Sequence, residues 1–131
     1  MHAFFYITSA VVVLFILLQL YMRLQGYLKR GKQVKNIPPD LKRKLQKYDR
    51  VLIYFYTPTC SACRVMTPVI DRLKNEFDNI LKIDLSRDTH LGPVFGVMGT
   101  PTITLMQGTT IREFVVGARK EAFLRRLLQE K

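Results

Sequence analysis

Ala3 to Met22 reads AFFYITSAVVVLFILLQLYM, twenty residues of which only Thr8, Ser9 and Gln19 are clearly polar. At about 1.5 Å per residue that length matches a hydrocarbon core of about 30 Å. Inside lipid an isolated span must satisfy its own backbone hydrogen bonds, which leaves helix as the form it can take. Tyr6 and Tyr21 lie near the two ends, where amphipathic rings favour the membrane interface. We therefore read residues 3–22 as a transmembrane anchor. A cleaved signal peptide fits less well: it carries a cationic leader, a shorter apolar core and a small-x-small cleavage site. Here no Lys or Arg precedes the span, which runs into Tyr21-Met22-Arg23.

Charge is distributed unevenly. Residues 1–22 carry no Lys, Arg, Asp or Glu, residues 23–50 carry a net +8, and residues 51–131 the remaining +3 of the formal +11. A chain this basic raises nucleic-acid binding. The excess, however, abuts the apolar span, where anionic headgroups attract each Lys or Arg by about 1 kcal/mol, and no base-reading motif accompanies it. A bilayer with anionic headgroups is the expected partner, and nucleic acid is not. Arg23, Lys29, Arg30, Lys32 and Lys35 all follow the span, so the positive-inside rule makes this a single-pass protein with its C-terminal domain in the cytoplasm. The extracytoplasmic side is the alternative.

Residues 23–37, with Gly26 and Gly31, read as a basic juxtamembrane linker, and residues 38–131 as one domain of ordinary size. After Pro38-Pro39, Asp40 is placed to cap a short helix with Leu41, Leu45 and Tyr48 on its apolar face. VLIYFY at 51–56 has the unbroken apolar character of a central strand buried on both sides. From Cys60 to about Phe77, Met66, Val69, Ile70, Leu73 and Phe77 share one helical side, and Pro68 sits inside that helix, where it should kink it. ILKIDL at 80–85 reads as a second strand, followed by a short helical stretch near 90–96. Residues 103–107 and 111–116 form a hairpin around Gly108-Thr109-Thr110. Residues 118–129 close as a helix with Ala122, Phe123, Leu127 and Leu124 as its inward set. The expected fold class is α/β: a mixed central sheet with helices on both faces, preceded by one apolar helix.

Cys60-Ser61-Ala62-Cys63 lies between a buried strand and a helix. Free amides and the helix dipole stabilise an anion at a helix N-terminus, so Cys60 should ionise more easily than a free thiol, and the thiolate is the attacking species in disulfide exchange. The i, i+3 spacing brings Cys63 to the same side of the first turn. Cys60, nearer the exposed end, is the candidate nucleophile and Cys63 the resolving thiol. A structural zinc site would need four ligands, and the only histidines are His2 and His90. Haem attachment would need His after Cys63, where Arg64 stands. No metal or other cofactor is expected. An inert structural disulfide is the bland alternative, though a four-residue loop at a helix start is an unusual staple. Pro101, in Gly99-Thr100-Pro101-Thr102, marks either a strand-entry turn or a cis X-Pro bond.

Taken together, the CxxC at a strand–helix junction, Pro68 five residues after Cys63, Ile83-Asp84, Val97 to Thr102 and Val116-Gly117 make the chain from about residue 40 to 130 resemble thioredoxin. The resemblance implies the thioredoxin fold, a cis bond before Pro101 beside the cysteines, and a substrate-binding surface at Thr59, Thr100, Pro101 and Gly117. Three departures stand out. The family's WCGPC is here Thr59 to Cys63, its buried Asp in the preceding strand aligns with Tyr54, and its first strand is missing. Without that carboxylate the Cys63 proton must leave by water or another group, with Lys82 as a candidate. The Ser-Ala spacer supplies no His to stabilise the thiolate, which argues against a strong oxidant. The implied activity is reduction of protein disulfides near the membrane, with an upstream thiol reductant as partner. The alternatives are an envelope-facing reductase for cytochrome or metalloprotein maturation, and a redox-independent binding module tethered to the membrane.

Overall fold

The computed structural model describes residues 1–130. The chain runs α1 (His2–Lys29), α2 (Pro39–Gln46), β1 (Val51–Tyr56), α3 (Ser61–Lys74), β2 (Ile80–Asp84), α4 (Leu91–Phe95), β3 (Thr102–Gln107), β4 (Thr110–Val116) and α5 (Glu121–Gln129). The strands form one sheet in the order β2-β1-β3-β4. β1 pairs parallel with β2 and antiparallel with β3, and β3 pairs antiparallel with β4. α1 is long and apolar enough to cross a membrane. Its two small hydroxyls are satisfied within the helix: Thr8 Oγ1 donates to the Phe4 carbonyl and Ser9 Oγ to the Tyr6 carbonyl, each at 3.0 Å. Such internal pairing keeps polar side chains tolerable in an apolar span.

β1 explains its own apolar run. Val51, Ile53 and Phe55 face one side of the sheet, where Leu45 of α2 and Phe95 of α4 pack. Leu52 and Tyr54 face the other, against Met66, Ile70 and Leu73 of α3 and Leu124 and Leu127 of α5. Alternation of side chains across a strand, with both faces covered, requires this continuous apolarity.

Residues 23–37 are not a free linker. α1 continues through Lys29, and Gly26 is its one buried residue. A Cβ at Gly26 would stand 2.6 Å from the Phe114 carbonyl oxygen, so only glycine lets the helix approach β4 this closely. Beyond the helix, the Gly31 amide donates to the Ile111 carbonyl at 2.7 Å, the Ile111 amide to Lys32 at 2.9 Å, and the Val34 amide to Thr109 at 2.8 Å. Val34 joins the core on the α2 side. The basic segment thus covers the open edge of β4, which would otherwise present unpaired backbone groups.

Four local expectations shift. Pro39 takes the first helical position of α2, so Asp40 lies within the first turn and pairs with Arg43 instead of capping. Tyr48 falls beyond that helix but still packs on the core. Thr110 pairs with Gln107, which shortens the hairpin loop to Gly108-Thr109, and Gly108 takes a positive φ. α5 begins at Glu121, and its rotation buries Leu124 and leaves Ala122 exposed.

Arg125 ties α5 to the end of α3. Its guanidinium contacts Glu76 at 2.6 Å and Glu121 at 2.8 Å, and Arg72 reaches Glu121 at 2.9 Å. These hydrogen bonds hold both carboxyls below the usual carboxylate range. A depressed folded pKa contributes stability above the unfolded value, and that contribution is lost as pH falls through the folded one. The melting temperature should therefore drop between about pH 5 and pH 3, with a shallower drop in Glu121→Gln. An unchanged slope in that variant would dissociate the clamp from acid sensitivity.

Candidate active site

Cys60 occupies the N-cap of α3, and its Sγ accepts the Cys63 amide at 3.2 Å. The helix-start expectation thereby acquires a named donor: one of the unsatisfied amides of the first turn points at the sulfur that is to carry charge. No acidic residue lies in that turn to oppose it. The two cysteines are joined as a disulfide with a Cα–Cα distance of 5.1 Å, within the usual range for such a bridge. Cys63 is 1 % exposed, whereas Cys60 is half-buried with a route to solvent. This difference in access comes from α3 itself, since one helical turn carries Cys63 into the core with Met66 and Ile70.

The Thr100-Pro101 peptide bond is cis. The carbonyl oxygen of Thr100 lies 3.5 Å from Cys60 Sγ, so in the dithiol state the Cys60 thiol faces an acceptor there. The loop is braced from two sides. Thr102 Oγ1 donates to the Gly99 carbonyl at 2.7 Å, and the Gly117 amide donates to the Pro101 carbonyl at 2.8 Å. Gly117 has φ +93°, a conformation glycine adopts without a Cβ penalty. The structure thus brings Thr100 against Cys60 and Gly117 against Pro101, with Pro101 itself buried. Thr59 is exposed at the turn before Cys60.

Below the pair sits Tyr54, fully buried on β1. Its hydroxyl donates to the Cys63 carbonyl at 3.3 Å and shares a 3.0 Å hydrogen bond with Thr67 Oγ1. Burial pushes the phenol pKa up from its ordinary value, so the group is neutral near pH 7 and cannot stand in for a carboxylate base. Its ring stacks on Tyr56 at 5.4 Å. Lys82 is engaged elsewhere. Its Nζ pairs with Asp71 at 2.8 Å and lies 5.2 Å from the Tyr56 ring. A hollow of 280 Å³ lies beside Cys63, walled by Tyr56, Thr57 and Thr67. The Tyr54–Thr67–Cys63 linkage had no local signature, because it joins a strand to a helix across the core. Among the described residues no three His, Cys, Asp or Glu side chains group to hold a metal ion.

The thioredoxin family model matches residues 33–130, a stretch that contains every element from α2 to α5. The chain belongs to the thioredoxin family. Thioredoxin from Bacillus subtilis is 29 % identical over 83 residues, covering 61 % of this chain and 80 % of that protein. The NADPH-dependent thioredoxin reductase 3 of Arabidopsis thaliana is 24 % identical over 93 residues, 68 % of this chain but only 18 % of that protein. A chloroplastic M-type thioredoxin of Zea mays is matched over half its length. Among solved structures, a mutant thioredoxin from Halobacterium salinarum superposes with a TM-score of 0.65 at 31 % identity, covering 71 % of this chain and 83 % of that one. The thioredoxin domain of this chain thus carries the CxxC pair of a thiol–disulfide oxidoreductase, set at the start of α3. α1 lies ahead of the matched region.

Proposed function

We propose that this protein is a membrane-anchored reductase of protein disulfides that cycles Cys60 and Cys63 between dithiol and disulfide. The observation that carries the reading is the arrangement around Cys60: an accessible sulfur at the N-cap, a 3.2 Å amide donor and the Thr100-Pro101 loop alongside. Substrate binds as an extended segment across Thr59, Thr100, Pro101 and Gly117. The Cys60 thiolate attacks one sulfur of the substrate disulfide; a Cys60–substrate bond forms, and the other substrate sulfur leaves as a thiolate that takes a proton from water. Cys63 then loses its proton to water in the adjoining hollow and attacks Cys60, closing the intramolecular disulfide and releasing the second substrate thiol. The substrate gains two electrons, and the dithiol is restored by an upstream thiol reductant.

In this reading α1 spans the bilayer once over residues 3–22. The cations that follow it contact anionic headgroups and place the domain in the cytoplasm. The full chain, pre-reduced and supplied with a dithiol reductant, should reduce insulin disulfides, and Cys60→Ser should lower that rate to background. Undiminished activity in Cys60→Ser overturns the reading in favour of a redox-independent module. A C-terminal reporter active outside the cytoplasm would reverse the sidedness.

A further inference from the structure

The docked end of α1 bears on which disulfides this site can meet. Met22 closes the apolar span, and Arg23 is the first charge after it. Tyr21, Met22 and Gln25 line an apolar hollow of 170 Å³ whose opposite wall is Met98, Gly99 and Val116. Gly99 immediately precedes Thr100, whose carbonyl faces Cys60 Sγ at 3.5 Å. The active-site loop therefore sits level with the last turn of the span. A headgroup layer is about 5–8 Å deep on each side of the hydrocarbon core, or about four or five helical residues, which places Met98 and Gly99 inside it.

This placement is held at several points. Gly26 rests on the Phe114 carbonyl. Lys29 Nζ donates to the Gly96 carbonyl, just upstream of the loop, and lies 4.2 Å from the Phe114 ring centroid. Arg30 pairs with Glu113 at 2.7 Å, and residues 31–34 are hydrogen-bonded to the start of β4. A domain swinging on a flexible tether would have none of these contacts. The surface around the cysteines also has the character of an interfacial one. Outside α1, the large apolar side chains that stand exposed among the described residues are Val65 at 75 % and Met98 at 87 %. One follows Cys63 by two residues and the other precedes Thr100 by two. Arg23 and Arg119 flank the groove between α1 and β4, where headgroup phosphates can meet them.

We infer that α1 and β4 together hold the Cys60–Cys63 site at the headgroup level, so that its substrates are disulfides of integral membrane proteins lying within a few residues of their own spans. The inference rests on the membrane-anchored reductase reading above and adds the height at which that reductase works. The hollow between Met22 and Met98 is where the apolar residues flanking such a disulfide would seat, continuous with the Thr100-Pro101 edge.

The test uses the full chain, reduced and reconstituted into phosphatidylcholine–phosphatidylglycerol vesicles. Two clients share one spanning peptide and one intrachain disulfide. In the first the disulfide directly follows the span; in the second a Gly/Ser spacer of about 30 residues, with a reach of about 30 Å, intervenes. Both are confined to the bilayer, so confinement alone favours neither. The near client should be reduced about tenfold faster, because effective concentration falls with roughly the −3/2 power of spacer length and the distant spacer is about five times longer. Equal rates, or a faster rate on the distant client, overturn the inference. Gly26→Leu, which forces α1 off β4, should bring the two rates together while insulin reduction is retained. Lys29→Ala should do the same to a lesser degree and serves if Gly26→Leu does not fold. Persistence of the full near-client preference in a folded undocked variant overturns the role given to docking. Insulin reduced with neither client touched overturns the placement and leaves the reductase intact, whereas failure to reduce insulin removes the reductase reading itself.

Discussion

Cys63→Ser is expected to stop turnover and leave the chain covalently joined to its substrate through Cys60. The first half of the exchange needs only the Cys60 sulfur, which is half-buried and receives the Cys63 backbone amide, a donor that serine at 63 retains. The second half needs a thiol at 63, held 5.1 Å away Cα to Cα. Intramolecular attack of this kind has an effective concentration of at least about 1 M, so replacing it by an external thiol at about 1 mM slows release by about 10³-fold or more. The measurement is non-reducing electrophoresis of the variant mixed with a disulfide client, followed by addition of dithiothreitol. A dithiothreitol-sensitive adduct is expected in Cys63→Ser and none in Cys60→Ser. An adduct on Cys63 in the latter would reverse the assignment of the two thiols, and the 1 % exposure of Cys63 weighs against that outcome.

Tyr54→Ala should destabilise the domain by about 4 kcal/mol, the usual cost of removing a large buried aromatic side chain. Against a total of about 5–15 kcal/mol for a domain of this size, that loss populates the unfolded state appreciably. The ring is fully buried between β1 and α3 and stacks on Tyr56. Tyr54→Phe keeps the ring and removes only the hydroxyl hydrogen bonds to Thr67 and the Cys63 carbonyl. Its cost should be about 1 kcal/mol, and urea melts of the two variants separate packing from hydrogen bonding. The pH profile of insulin reduction should be the same in Tyr54→Phe as in the parent chain, because the buried phenol is neutral over the working range. A shift in that profile would instead make the hydroxyl a participant in deprotonating Cys63.

Tyr54 also shows why replacement of the family's buried acid is compatible with a working pair. A carboxylate there needs water or a cation to remain ionised under burial, whereas a phenol is satisfied by one hydroxyl and one carbonyl. A hollow lies beside Cys63, while the Lys82 side chain is turned to Asp71. This pairing was not legible in the chain, because Asp71 and Lys82 meet only when α3 lies across β2.

Much of the domain was legible beforehand because its signals are local. Six consecutive apolar residues at 51–56, rich in β-branched and aromatic side chains, read as a strand covered on both sides, and Cys60 precedes a helix whose apolar spacing runs to Leu73. Twenty apolar residues must form a helix wherever lipid removes water from the backbone. The resemblance to thioredoxin rested on such punctuated features in order, and the family match over residues 33–130 agrees with it. The boundaries were less well read. Pro39, favoured at the first helical position, displaced the Asp40 cap, and Ala122 turned outward while Leu124 and Leu127 went in, because the rotation of α5 depends on how that helix meets the core.

The sequence by itself determined the apolar helix, the strand–CxxC–helix junction and the Thr100-Pro101 loop, since each follows from periodicity, from a helix terminus or from proline chemistry within a few residues. Tertiary structure alone decided where the chain goes after Met22. Residues 23–37 carry charges and two glycines that suit a solvated linker equally well, and nothing within them specifies a partner. Their order comes from the unpaired edge of β4 and the turn before it, some eighty residues away in the chain, where the Ile111 and Thr109 carbonyls accept Gly31 and Val34 and the Phe114 carbonyl leaves room only for Gly26. These long-range contacts cover a sheet edge that would otherwise be bare and fix the basic segment against the domain that carries the cysteine pair.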